Sequence, residues 1–291
     1  MTAAIQIAIL GLLLGGVFAL MASGLTLIFG VMGIVNLAHA SFMVLAAFMS
    51  FYAFKYGGID PILSIVFVMP AMFLIGILTY RLLFARSIAD PRMRGASVLV
   101  TFAIALVLEG AMGAAFTNIY RSTNPSYSAE AILIGPFFIP EAQFYATLLS
   151  MVILIGLWLF LTFTRMGYAI RATMHNRTAA EVVGVNVDRI SMLVFGIGMA
   201  LAGASGAMMS FLFSFYPSKH WEWVAILLSL VVLGGMGSLL GALIGALALS
   251  VIAAFVSSEF GPTWSPVTFY LALFVILLVR PQGLMGKEPE L

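Results

Sequence analysis

The sequence predicts an all-α, polytopic membrane helix bundle of about nine spans, readable as eight to ten, with signs of an inverted repeat, the N-terminus outside and the C-terminus inside. Three observations predict it. Of 291 residues, 63% are hydrophobic and 8% are charged, where a water-soluble domain carries roughly 25% charge. Apolar stretches of about 20 residues, the length that crosses a bilayer as a helix, recur from the first residues to the last. Basic residues gather in a few short connections, as they do on the cytoplasmic side of a membrane protein.

The composition also narrows function. A dispersed net charge of +2 makes no nucleic-acid-binding surface. Without cysteine there is no thiolate nucleophile or thiolate metal site, and no cofactor is expected. The lysines are Lys55, Lys219 and Lys287, none followed by Ser or Thr, so the G-x-x-x-x-G-K-[ST] loop that cradles phosphates is absent. Neither H-E-x-x-H nor G-x-S-x-G occurs, and His39, His175 and His220 lie in different regions, which disfavours intramembrane hydrolysis. The reading is a single membrane domain over residues 1–291, lying in the lipid bilayer, and not an enzyme.

Each span follows from where Pro, Gly and charge cluster. The first, 5–29, opens without a basic n-region and is expected to be a retained span rather than a leader. Gly30-Val31-Met32-Gly33 separates it from the second, 34–54, so that this pair is also readable as one broken or re-entrant helix. The second opens with Asn36, His39 and Ser41. Asn36 and His39, three apart, are expected on one helix face near the cytoplasmic membrane surface, capping the helix and satisfying backbone groups freed at the break. Direct contact with a substrate is the rival role. The third and fourth spans, 61–84 and 96–118, bracket Arg81, Arg86, Arg92 and Arg94. Glu109, the only ionisable candidate well inside a span, reads more readily as a carboxylate facing a wet interior or bonded to a neighbouring helix than as an ion-coupling site.

The fifth span, 143–164, leads into the one long cytoplasmic loop, 165–190, which holds Arg165, Arg171, Arg177 and Arg189. Tyr168 to His175 is expected to form a helix, Thr178-x-x-Glu181 has capping-box spacing for a second, and Gly184 can end that second helix in a left-handed cap. The resulting hairpin would present Ala172, Ala179, Ala180, Val182 and Val183 beside arginines, suiting a partner's groove; an amphipathic hairpin lying on lipid headgroups is the alternative. The last four spans are 191–213, 223–236, 239–256 and 264–280. The seventh and eighth are divided only by Gly237-Ser238, just after Gly234 and Gly235, so that this pair too is readable as one broken or re-entrant helix. Arg280 and Lys287 close the chain, so ten of 13 basic residues fall in three clusters assigned to the cytoplasm, and Lys55, Arg121 and Lys219 fall outside. Both short segments must then cross.

The 28 glycines let helix backbones approach closely in lipid. At an offset of 182, Gly16, Ala22, Ser23 and Gly24 meet Gly198, Ala204, Ser205 and Gly206 on helices running in opposite directions. A second register, Gly30-x-Met32-Gly33 with Gly234-x-Met236-Gly237, competes with it, and convergent small-residue packing explains either match as well as duplication does. Inverted repeats recur in alternating-access transporters. On the residues alone, Asn36, His39, Ser41, Glu109, Gly234, Gly235 and Gly237 are the candidates for a pathway or a functional helix break.

Gly24 to Met32 running into Ile34 to His39, then Ala169 to Arg189, then Leu233 to Ser238 with Gly241-Ala242 and Gly245-Ala246, resemble the branched-chain amino acid permease family of bacterial ATP-binding-cassette importers, in its shorter, high-affinity H type. The chain departs from the family at Leu37, where Phe is frequent, and at Ala40, where Gly is common. The resemblance implies an inner-membrane permease subunit for branched-chain or related small amino acids, with amides and urea not separable by these motifs. It implies as partners a second homologous permease, two cytoplasmic ATPases and an extracytoplasmic solute-binding protein. The loop then becomes the ATPase-coupling element, through Tyr168, Arg171, Ala172, Asn176, Ala180, Glu181, Gly184 and Asp188. The alternative is an ion-coupled carrier or channel for a small polar solute, built on Glu109 and acting without an ATPase.

Overall fold

The computed structural model describes residues 2–85 and 94–286. Arg86, Arg92 and Lys287 of the basic clusters lie outside the described residues. All nine predicted spans are helices. They are α1 (Thr2–Met32), α2 (His39–Gly57), α3 (Pro61–Thr79, prolonged by a π-turn at Tyr80–Phe84), α4 (Arg94–Phe116), α5 (Glu141–Phe163), α8 (Val187–Leu212), α9 (His220–Gly234), α10 (Leu239–Phe260) and α11 (Ser265–Val279). Between α5 and α8 the loop folds as α6 (Arg165–His175) and α7 (Arg177–Val182).

Eight of the spans are long and apolar enough to cross a membrane unaided. The exception is α9, whose 15 residues reach only about 22 Å; α11 is as short but is lengthened by the 3-10 turn Pro262–Trp264 ahead of it to an 18-residue span. It begins at His220 and ends at Gly234, three residues earlier than the expected start and two before the expected end. One two-stranded hairpin, β1 (Ala131–Ile134) with β2 (Phe137–Pro140), adds to the helices in the connection before α5. Gln6 clamps it to α1, its Nε2 donating to the Phe138 carbonyl at 2.6 Å and its Oε1 accepting from the Phe138 N–H at 3.0 Å.

Caps mark the starts of several helices. Asp60 Oδ1 accepts from the Ile62 N–H ahead of α3, Asn186 Oδ1 from Arg189 ahead of α8, and Ser238 Oγ from Gly241 ahead of α10. Each relieves one of the donors a helix start leaves unpaired, a contribution of about 1 kcal/mol.

The packing repeats itself in reverse. Helices α1 and α8 cross antiparallel, Phe18 stacking on Phe213 at one end while Ile28 reaches Gly198. Helix α1 packs most extensively on α10, and α8 correspondingly on α3. Each long helix is followed by a break in the α-helix, which before α9 includes a 3-10 turn at Pro217–Lys219, and then by a shorter helix, α2 or α9, that starts with a buried histidine. Within the long pair, Ser23 Oγ donates to the Ala19 carbonyl and Ser205 Oγ to the Leu201 carbonyl, equivalent bonds at the offset of 182. The rival register fails because Gly30 lies inside the last turn of α1 while Gly234 ends α9, and Gly30 packs against Gly237 itself.

Candidate functional site

The loop after α5 is a compact helical hairpin. Thr164 Oγ1 accepts from the Gly167 N–H to start α6, one turn earlier than the sequence indicated. Asn176, not Thr178, starts α7, its Oδ1 accepting from the Ala179 N–H at 2.9 Å. The expected capping box therefore does not form: an Asx side chain two residues upstream occupies the role, and Glu181 instead pairs with Arg177 at 3.5 Å. Gly184 ends the turn at φ +89, the left-handed conformation its sequence position anticipated.

The hairpin's inner side is anchored. Gly167, Ile170 and Thr173 are buried, and so is Ala180, which leaves the presented face expected of it. The outer side shows Met166, Tyr168, Val182 and Val183, the last two 82% and 77% exposed. Ala172, Asn176 and Ala179 are exposed with them. Arg171 lies over the Tyr168 ring, 4.9 Å from its centroid. Asp188 Oδ1 accepts from the Tyr80 hydroxyl at 2.7 Å, tying the first turn of α8 to the π-turn of α3.

The second candidate region folds back into the helix bundle. After Met32 the chain runs non-helically through residues 33–36 and a short turn, so Asn36 stands before α2 rather than on a helix face with His39. Its Oδ1 accepts from the Ala38 N–H, an Asx turn that prepares α2 without capping it directly. Thr101 of α4 steadies the same segment, accepting from the Leu37 N–H at 3.2 Å. His39 then sits where α1 crosses α8: a Cβ built on Gly24 would lie 2.8 Å from both His39 Cε1 and the Gly198 carbonyl. Gly24 precedes the end of α1 by eight residues, about 12 Å along the helix, so His39 packs level with Gly24 rather than at the end of α1. The extended segment climbs further per residue than a helix, and this brings it there. Both His39 ring nitrogens, Asn36 Nδ2 and Ser41 Oγ are buried without hydrogen-bond partners.

Glu109 belongs to a separate group. Its Oε2 accepts from the Trp221 indole N–H at 3.0 Å and lies 3.9 Å from His220 Nε2. His220 Nδ1 is 2.9 Å from the Pro217 carbonyl, which can only accept, so Nδ1 carries a proton. The carboxylate is thus bonded to the start of α9, as the reading of a carboxyl tied to a neighbouring helix expected. His220, Trp221, Thr101 and Tyr80 escaped sequence reasoning. A signal existed for His220, which lies within one residue of the 182 offset from His39.

The Gly234–Ser238 break lies at the same end of the bundle as the hairpin. Gly235 and Gly237 have φ of +99 and +87, and the chain's last turn bonds to this break, the Leu284 and Met285 N–H groups donating to the Leu233 and Gly234 carbonyls. The structure thus gathers Gly30, Met174, Gly237 and Met285 around one cleft, apart from the buried His39 and from the part-buried Glu109.

Residues 7–279 match the family model for the permease component of the branched-chain amino acid transport system. Curated relatives align along nearly the whole chain. They include the probable branched-chain amino acid transport permease protein LivH of Methanocaldococcus jannaschii, 28% identical over 92% of this chain and 88% of that one. The high-affinity branched-chain amino acid transport system permease proteins BraD of Pseudomonas aeruginosa and LivH of Escherichia coli are each 27% identical over 96% of this chain and 94% of theirs. Among solved structures, a chain of PsaBC from Streptococcus pneumoniae in complex with Fab shares the fold at a TM-score of 0.50 and 14% identity, covering 94% of this chain and 91% of that one.

Proposed function

The chain belongs to the permease-component family of the branched-chain amino acid transport system, and from that membership we propose that it forms half of a translocation pathway in an ATP-binding-cassette importer for branched-chain or related small amino acids. A second homologous permease supplies the other half. Two cytoplasmic ATPases drive it, and an extracytoplasmic binding protein delivers the solute. The observation that carries the ATPase coupling is the α6–α7 hairpin, anchored by Ile170 and Ala180 yet presenting Val182 and Val183 to the cytoplasm. Exposed branched apolar residues on a braced helical turn suit a groove in another protein. The chain has no phosphate loop of its own, which agrees with energy arriving through that contact.

Force applied at the hairpin has two routes into the bundle. One runs through Asp188 and Tyr80 into α3; the other runs through α6 against α1 and α8. In this reading, a two-state ATPase biases the hairpin and so the opening of the pathway. Small and weakly polar groups line that pathway and pass a zwitterion without holding it.

The test is co-purification of the assembled importer from membranes with the tagged chain as bait. Glu181→Trp and Gly184→Val should insert normally, bring down the second permease, and lose the ATPases. Wild-type ATPase recovery with both variants would sink the assignment.

A further inference from the structure

We propose that the inner-leaflet groove between α1, α5 and α10, together with the cleft beneath it, binds an anionic glycerophospholipid. The groove has a volume of about 320 Å³ and is lined by Ser23, Leu154, Trp158, Leu161, Leu240 and Leu243, with other leucine and isoleucine side chains. It starts at the cytoplasmic ends of α5 and α10 and rises to Ser23, nine residues inside the end of α1. That rise is about 13 Å, close to the half-thickness of a bilayer's roughly 30 Å hydrocarbon core, and so it fits one acyl chain of one leaflet. Leu240 is 61% and Trp158 55% exposed, which leaves the groove open on its outer side.

A cleft of about 500 Å³ adjoins its foot, its lining of glycines, methionines and Phe29 interrupted by Arg171, His175 and Ser238. The two are joined at two points. Ser238 of the cleft is followed directly by Leu239 of the groove. Arg171 of the cleft donates from Nη2 to the Thr162 carbonyl at 3.4 Å, next to Leu161 of the groove. The Arg171 guanidinium therefore stands at headgroup height below an acyl-chain slot, and no carboxylate lines the cleft among the described residues. Length and side opening suit an acyl chain, and the Arg171 charge selects a net negative headgroup over a zwitterionic one.

Such a lipid would tie α5 and α10 to α6, so the resting position of the hairpin would depend on anionic lipid. The binding itself requires only that the chain spans the bilayer and is independent of ATPase coupling.

The test purifies the full-length chain in mild detergent from membranes containing phosphatidylglycerol and phosphatidylethanolamine, and quantifies retained lipid by native mass spectrometry. Wild type should retain phosphatidylglycerol about five-fold over its membrane share, the preference one arginine near the headgroups confers. Arg171→Gln should remove the preference, and Leu240→Trp, filling the groove, should lower retention of both lipids. Both residues are exposed, so the variants should elute as wild type does. Leu271→Trp, on the exposed face of α11, should change nothing. Equal retention of the two lipids by wild type means a non-specific lipid annulus and overturns the proposal. So does a preference that survives Arg171→Gln, or one lost there with retention undiminished in Leu240→Trp, which would mean a surface anion site without an acyl chain.

Discussion

The crossing of α1 and α8 permits a sharp prediction for Gly24→Ala. The added Cβ would lie 2.8 Å from the Gly198 carbonyl and 2.8 Å from His39 Cε1. Ordinary carbon contacts begin near 3.5 Å, so each neighbour must yield by roughly 0.7 Å. Neither yields easily, since one is helix backbone and the other is a ring in a fully packed site, 1% exposed. Helices α1 and α8 must part, and overpacking of this kind costs about 1–3 kcal/mol. For a chain of this size that lowers the unfolding midpoint by about 2–12 °C. The controls are Gly110→Ala and Gly156→Ala, whose new methyls meet nothing within 4 Å and gain up to about 1 kcal/mol of helix propensity. Thermal unfolding of detergent-purified protein, followed by size-exclusion fluorescence, should rank Gly24→Ala lowest. Adding His39→Ala should return part of the loss and no more, because the Gly198 carbonyl stays in place. A midpoint for Gly24→Ala equal to that of the two controls would refute the reasoning, and full recovery in the double variant would assign the whole clash to the ring.

Tyr80→Phe and Asp188→Asn should each lower stability, and a double-mutant cycle should return a coupling of about 1 kcal/mol, the low end for a bond to a charged acceptor because Asp188 is exposed. Glu109→Gln keeps an oxygen to accept from Trp221, so uptake by the assembled importer should stay within a few-fold of wild type, and the chain alone in liposomes should show no gradient-driven flux. Gradient-driven flux lost in Glu109→Gln would instead favour the ion-coupled carrier. Asp60 both caps α3 and accepts from the Tyr127 hydroxyl at 3.1 Å, so Asp60→Ala should cost about 1–3 kcal/mol by thermal unfolding. Burial, and then the Asp60 carboxylate, push the Tyr127 phenol above its ordinary value. A raised folded-state value means the contribution is whole below the usual tyrosine pKa of about 10 and lost as pH rises beyond it. The melting midpoint should accordingly fall in alkali more steeply for wild type than for Tyr127→Phe.

What the sequence determined by itself was whatever rests on local pattern. Apolar runs between charge clusters located all nine spans because the bilayer sets their length, and the hairpin was readable because Gly184 needs no neighbour to turn left-handed. The offset of 182 was visible but undecided until the reversed packing, α1 on α10 and α8 on α3, set it against the rival register. Capping was legible as a tendency and misassigned in detail, since Asn176 and Thr178 are both competent caps and only the packing of Ile170 and Ala180 against the bundle decides where α7 begins. Depth lay beyond any local pattern. Nothing in Asn36 to Ser41 says that the chain climbs back to the level of Gly24, nor that Glu109 meets Trp221 and His220 across more than 100 residues. Those positions are fixed by which helices the glycines allow to touch, and close approach between helices far apart in the chain exists only once the whole bundle has assembled.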